Sequence, residues 1–181
     1  MSATMFASDV TPSAAPVTTA AATERLAGKY LTFQLGREEF GIRVLQVREI
    51  MGLQEITAVP QMPPHVRGVI NLRGKVIPVI CLRAKFGLGA GETSARTCII
   101  VVQVKGHAGA ILMGLIVDGV SEVLSISGGD IEQTPDFGSA SSRPYLLGMA
   151  KIRDKVKILL DIDQVIDHAE TILPRVTTPA A

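Results

Sequence analysis

The chain has 181 residues with 18 basic and 17 acidic side chains, a net charge of +1, 47% hydrophobic residues and no Trp. A near-neutral balance argues against non-specific nucleic-acid binding, which needs a basic excess to displace counterions. The longest apolar run, Ala110 to Val117, ends at Asp118, far short of the roughly 18–20 residues a bilayer-crossing helix needs. The surplus hydropathy points instead to strands buried on both faces and to apolar surface kept for partners.

Residues 1–27 are mostly Ala, Thr, Ser and Pro without an apolar period, and read as a disordered lead. They contain no basic region followed by an apolar block, so no secretory signal is expected. Tyr30–Leu35 alternates as a strand, Gly36–Glu39 reads as a turn, and Phe40–Ile42 resumes as the return strand of a hairpin. Val44–Met51 fits helical or strand spacing equally. Pro60, Pro63 and Pro64 punctuate a rigid loop. Val66–Leu72 and Val76–Leu82 form a second hairpin through Arg73, Gly74 and Lys75, with Pro78 implying an edge or a bulge. Gly87–Ser94 is a flexible loop between two halves.

The second half runs as strands over Thr97–Lys105, Ala108–Val117 and Val120–Ser125, a polar loop over Thr134–Pro144, and a hairpin from Leu147 to Asp161. Ile162, Val165, Ile166 and Ala169 have helical spacing and predict one closing helix, capped by Asp161 or Asp163. Residues 169–181 read as a flexible tail. Cys81 and Cys98 lie in strand-like runs without metal-ligand spacing, as expected of reduced, buried thiols in a cytosolic protein.

No catalytic constellation emerges. The Gly87–Gly91 stretch has no Gly at position 92 to complete a dinucleotide fingerprint, and Gly68–Val76 misses the phosphate-loop spacing. Gly119–Val123 lacks the last Gly of a nucleophile elbow. His65, His107 and His168 stand far apart, so neither catalytic nor metal-ligating residues, nor any cofactor, are expected.

Two stretches repeat in order. Val66–Leu82 lines up with Leu146–Ile162 at an offset of 80, keeping Gly68/Gly148, Arg73/Arg153, Lys75/Lys155 and Val76/Val156. Phe40–Ile50 lines up with Met113–Val123 at an offset of 73, keeping Gly41/Gly114, Val44/Val117, Val47/Val120 and Glu49/Glu122. A supersecondary unit used twice predicts paired small barrels with a cleft between them. Because both copies retain a Glu and an Arg, each copy is expected to hold an ion pair, Glu49 with Arg73 and Glu122 with Arg153.

Between about Gly28 and His168 the sequence resembles the CheW family, the coupling proteins of bacterial chemotaxis arrays. The blocks that carry the resemblance are Phe33–Ile42, Val47–Ile50, Gly68–Val79, Gly114–Val123 and Ile158–Ile162. It implies a mostly β protein of two intertwined five-stranded SH3-like barrels with a short C-terminal helix, the first barrel's hairpins spanning about 30–82 and the second's about 97–162. It implies a non-catalytic adaptor joining the cytoplasmic tips of chemoreceptors to the regulatory domain of the histidine kinase CheA. Such a protein is cytoplasmic and recruited to membrane-associated receptor arrays. By the same resemblance Glu49, Arg73 and Val47 match receptor-coupling positions, and kinase contacts fall loosely around Gly41, Ile42, Val44 and Gly68. An adaptor of a parallel chemosensory pathway, of the twitching or biofilm type, is the alternative. Cys81 stands where the family carries an Asp, which the second copy keeps as Asp161.

Overall fold

The computed structural model describes residues 18–89, 91–106, 108–134 and 144–170. Eleven strands form two sheets. The strands are β1 (Gly28–Leu35), β2 (Glu38–Arg43), β3 (Val47–Gly52), β4 (Val66–Leu72), β5 (Lys75–Cys81), β6 (Cys98–Gly106), β7 (Gly109–Val117), β8 (Gly119–Ile126), β9 (Ile131–Glu132), β10 (Leu146–Ile152) and β11 (Lys155–Leu160). One sheet has the order β8-β1-β2-β11-β10-β9 and the other β3-β6-β7-β5-β4. Among the described residues there are also three α-helices: α1 (Thr18–Glu24), α2 (Leu82–Lys85) and α3 (Ile162–Glu170).

The repeat in the sequence is a repeat in space, with its partners exchanged. The five-stranded sheet joins the hairpin β6-β7 to β3, β4 and β5, and the six-stranded sheet joins the hairpin β1-β2 to β8, β9, β10 and β11. In each sheet one joint between the halves is antiparallel, β3 with β6 and β1 with β8, and the other is parallel: β11 pairs with β2 through Leu159↔Gly41, and β5 pairs with β7 through Val79↔Gly114. Register details recur at the offsets seen in the sequence. The shift between Val66 and Gly68 in β4 returns between Leu146 and Gly148 in β10. The Cys81 N–H donates to the His65 carbonyl at 2.7 Å, and the Asp161 N–H to the Tyr145 carbonyl at 2.8 Å. The single bridge Thr57↔Val69 matches the two-residue β9, which makes the first sheet six-stranded where five were expected.

The repeated glycines mark the closest approaches. A Cβ on Gly41 would sit 3.1 Å from Leu159, and one on Gly114 would sit 3.0 Å from Ile99 and 3.1 Å from Val79. Gly68, at φ +138°, allows even less, because its Cβ would lie 2.0 Å from the Thr57 carbonyl oxygen.

Three apolar clusters follow from this architecture. Ile70, Ile77, Val79, Ile99 and Val101 fill one barrel, and Tyr30, Ile126, Ile131, Ala150 and Leu159 fill the other. A larger cluster between them includes Phe33, Ile42, Ile100, Leu115, Leu160 and Val165. The closing helix belongs to it through Ile162, Val165 and Ile166, all buried. Of the two candidate caps, Asp161 accepts the Asp163 N–H at 3.1 Å. Its counterpart Cys81 precedes the four-residue α2 and caps nothing.

Several expectations need correction. Glu38 and Glu39 belong to β2, leaving Gly36 and Arg37 as the turn. The ambiguous stretch resolves into a 3-10 turn over Val44–Gln46 followed by β3. Pro78 lies in an interior strand opposite Val69, whose own N–H and carbonyl are both bonded to Thr57, so the missing proline N–H leaves no partner wanting there; the bulge is next to it, at Val66/Gly68. Gly87–Ser94 is tethered, because Arg83 donates to the carbonyls of Gly89 and Leu88 at 3.4 and 3.5 Å. The helix reaches Glu170, past the expected start of the tail, and residues 171–181 lie outside the described set, as do residues 1–17 and 135–143.

The expected disordered lead is ordered from Thr18. The Ala-rich α1 needs no apolar period, because Ala has high intrinsic helix propensity. Its end packs over the turn at Gly128, Leu26 joins the cluster around Tyr30, and the Tyr30 hydroxyl donates to the Leu26 carbonyl at 2.6 Å. The same barrel end is closed by Arg43, which donates to the Arg25 carbonyl at 3.1 Å and stacks over the Tyr30 ring. Deleting residues 1–26, neutral for a disordered lead, is therefore expected to lower Tm by roughly 5 °C, through about 2 kcal/mol of lost packing and hydrogen bonding. A thermal melt followed by circular dichroism checks this; an unchanged Tm would restore the disordered reading.

Candidate functional site

β3 and β4 are the two edges of the five-stranded sheet, yet Glu49 on β3 and Arg73 at the end of β4 meet, Arg73 donating to Glu49 Oε1 at 3.0 Å. The sheet is thus rolled up, and this ion pair spans its seam. Arg73 occupies the first turn position at φ +50° and Gly74 the second at φ +84°, both left-handed, as a two-residue hairpin turn matching strand twist requires. The Asn71 side-chain oxygen accepts the Gly74 N–H at 2.9 Å and holds the turn. Arg73 is 78% exposed and Glu49 30%, so most of the guanidinium fork remains open to an outside acceptor.

Beside the pair lies an open groove floored by Leu72, Val101 and Leu112 and rimmed by Arg48, Arg73 and Lys75. Val47 is half-buried at the head of β3, opposite Val102 of β6. Glu49 and Arg73 line this groove together, whereas Val47 packs against the cluster between the barrels and does not line it. The four loosely placed positions do not form a surface. Gly41, Ile42 and Gly68 are buried and serve packing, and only Val44 is half-buried, next to Leu45, which is 84% exposed. Gly68→Ala is expected to cost more than about 3 kcal/mol, because a backbone oxygen occupies the space for its Cβ. Loss of partner binding in that variant would accompany a lowered urea midpoint; an unchanged midpoint would contradict the packing role.

The second expected ion pair is not formed, since no salt bridge joins Glu122 to Arg153 among the described residues. The register there is the same, and what differs is the side chain facing Glu122. The Thr32 hydroxyl donates to the Glu122 carbonyl at 2.9 Å and accepts its N–H at 3.2 Å, where the counterpart Val101 pairs directly with Glu49. Lys151 instead pairs with Glu132 at 2.6 Å across β10 and β9.

Two further charge pairs were not read from the sequence. Arg83 of α2 donates to Asp118 at 2.6 Å, and the same carboxylate oxygen accepts the Gly36 N–H at 2.7 Å. Lys157 and Glu39 form a largely enclosed pair across β11 and β2. Lys157 holds the Glu39 carboxyl below its ordinary pKa, against the opposing effect of burial. A carboxyl with a depressed folded pKa adds stability above its unfolded pKa, and that stability is lost as pH falls through the folded value. The wild type is therefore expected to lose stability below pH ~4.5 more steeply than Glu39→Gln, which should be less stable at pH 7 but flatter in acid. Urea midpoints measured from pH 7 to 3 check it; parallel curves would refute it.

No group of three or more His, Cys, Asp or Glu is placed to hold a metal among the described residues, and no described helix is long and apolar enough to cross a membrane. What the geometry offers is a scaffold with an open groove, apolar at Leu72 and Leu112 and charged around them, beside a partly open guanidinium. The sequence matches the CheW-like domain over residues 29–170. The chain belongs to the CheW family. It is 36% identical over 150 residues to the chemotaxis protein CheW of Klebsiella aerogenes, covering 83% of this chain and 88% of that protein. It is 39% identical over 140 residues to that of Rhizobium meliloti, covering 77% and 88%. The solved scaffolding protein TtCheW from Thermoanaerobacter tengcongensis superposes with a TM-score of 0.69 at 35% identity, covering 78% of this chain and 93% of that one. Family membership makes the chain a scaffold and not an enzyme, built as the intertwined β architecture expected from its motifs.

Proposed function

We propose that the protein is a non-catalytic chemotaxis adaptor that couples the cytoplasmic tips of methyl-accepting receptors to the regulatory domain of CheA. It works in the cytoplasm, recruited to receptor arrays. The observation that carries this reading is the Glu49–Arg73 pair beside an apolar floor. A helical hairpin tip presents an apolar stripe and polar flanks, the two features this groove can meet: the half-buried Leu72 and Leu112 take the stripe, and the open fork of Arg73 takes a carboxylate or a helix-end carbonyl. Glu49 keeps the fork oriented, and Val47 extends the contact along β3. For the kinase, the exposed Leu45 in the turn after β2 is the candidate contact nearest to Val44, while Gly41, Ile42 and Gly68 shape the strands that support it.

A second reading, an adaptor of a parallel chemosensory pathway, draws on similarity to the protein FrzA of Myxococcus xanthus, 28% identical over 137 residues. Pull-downs with receptor tips from each pathway separate the two.

Arg73→Ala is expected to leave stability within about 1 kcal/mol, because an exposed pair contributes little. Receptor-tip affinity should fall about 30-fold, the equivalent of ~2 kcal/mol for a desolvated interface contact. Glu49→Ala should act in the same direction. Binding to the kinase regulatory domain should persist in both. Normal receptor-dependent kinase activation by the Arg73→Ala protein would remove Arg73 from the site, and loss of both bindings with lowered stability would make it a structural residue.

A further inference from the structure

The exchange that builds the fold creates a second groove at the mouth of the other barrel, lined by Gln34, Arg37, Glu38, Glu39, Lys155 and Val156. Registers place it in correspondence with the first. Thr32↔Gly41 matches Val101↔Gly114, so Gln34 stands for Gln103 and Thr32 for Val101. By the offsets of the repeat, Lys155 stands for Lys75, Val156 for Val76 and Arg153 for Arg73. The rims share a glutamine and a lysine, although Ser121 stands where Arg48 does. The linings differ: Leu112 becomes Glu39 and Ala110 becomes Arg37, and the core residue Ile77 becomes Lys157, the partner of Glu39.

We propose that the Glu39–Lys157 pair and Arg37 close this second groove to the helical partner, so that each adaptor docks one receptor hairpin and only through the Glu49–Arg73 side. The inference rests on the receptor reading above. The side chain of Glu39 keeps 15% exposure and that of Lys157 6%, so Glu39, which lines the groove, holds most of the pair's remaining contact with water. An apolar helix laid over it removes that water without supplying a partner for the remaining carboxylate lone pairs. Arg37 and Glu38, which replace Ala110 and Ile111, must be desolvated as well. Nor is there an oriented fork to receive the helix, since Arg153 lacks the acid that Arg73 has in Glu49. One groove therefore carries an apolar floor under three basic side chains and one acid, suited to an apolar stripe flanked by carboxylates. The other carries charge on its floor and rejects the same stripe.

Titrating the isotopically labelled wild-type protein with a soluble receptor-tip hairpin tests this, with amide NMR shifts as readout. Residues 48–51, 72–75 and 101–103 should shift, and residues 34–39 and 153–157 should not. Shifts in both grooves with the same concentration dependence would overturn the inference and leave the receptor reading standing. Shifts in neither would overturn the receptor reading itself. Arg37→Ala/Glu39→Leu/Lys157→Ile, with a cooperative melt to show that it folds, should raise the calorimetric stoichiometry from one hairpin per adaptor to two. In an Arg73→Ala background the same three replacements should return binding to within about tenfold of wild type. A folded triple variant that still binds one hairpin would show that these side chains are not what closes the groove.

Discussion

The architecture depends on two parallel strand pairs, β2 with β11 and β5 with β7. They are the only parallel pairings among the described strands, and each joins a hairpin of one half to strands of the other. Without them neither sheet has enough strands to roll up, and without rolling, β3 and β4 would not approach. The Glu49–Arg73 contact is therefore a product of the exchange, although its two residues lie only 24 apart in the chain. The glycines kept at positions 41 and 114 are the steric condition for this, because each lies opposite a residue of the incoming strand at van der Waals distance.

On this symmetric frame the two halves solve equal problems with different chemistry. The backbone N–H that follows β1, at Gly36, donates to Asp118, which is held by Arg83. The corresponding N–H near the end of β6, at Lys105, donates to Asp163 at 2.8 Å. Arg83 and Asp163 occupy the same position in their repeats, the second residue of the helix after the last strand. Where that residue is itself an acid it accepts directly; where it is a base, an additional acid is interposed. Leu45 sits where Asp118 sits in the other half, has no such duty, and is exposed. Corresponding positions thus carry Leu112 in one groove and Glu39 in the other, and Leu45 is left exposed where Asp118 is bonded.

Much of this was legible before any coordinates. The hairpins, the helix after Asp161 and the Glu49–Arg73 pair follow from alternation, spacing and the internal repeat, because each is encoded by neighbouring residues or by recurrence of identical ones. The floor of the groove was not, since Leu72, Val101 and Leu112 come from three strands whose order no local pattern reveals. Glu39 falls in what the local pattern marks as a turn and nothing in it singles out Lys157, because a pair 118 residues apart depends on the parallel exchange. The second ion pair failed for a reason equally remote in sequence: a hydroxyl at Thr32 engages the backbone of Glu122 from a strand 90 residues away. Helix α1 was missed because it is held by its end residues and not by an apolar face.

The exchange also governs how fast the protein can reach its structure. Pairing β2 with β11 requires closing almost the whole described chain before the sheet gains its central contact, and loop-closure entropy opposes that step. Topologies dominated by such distant pairings fold slowly, on the scale of milliseconds to seconds. The same feature retards escape, because no terminal strand can peel away without breaking a sheet that both halves share.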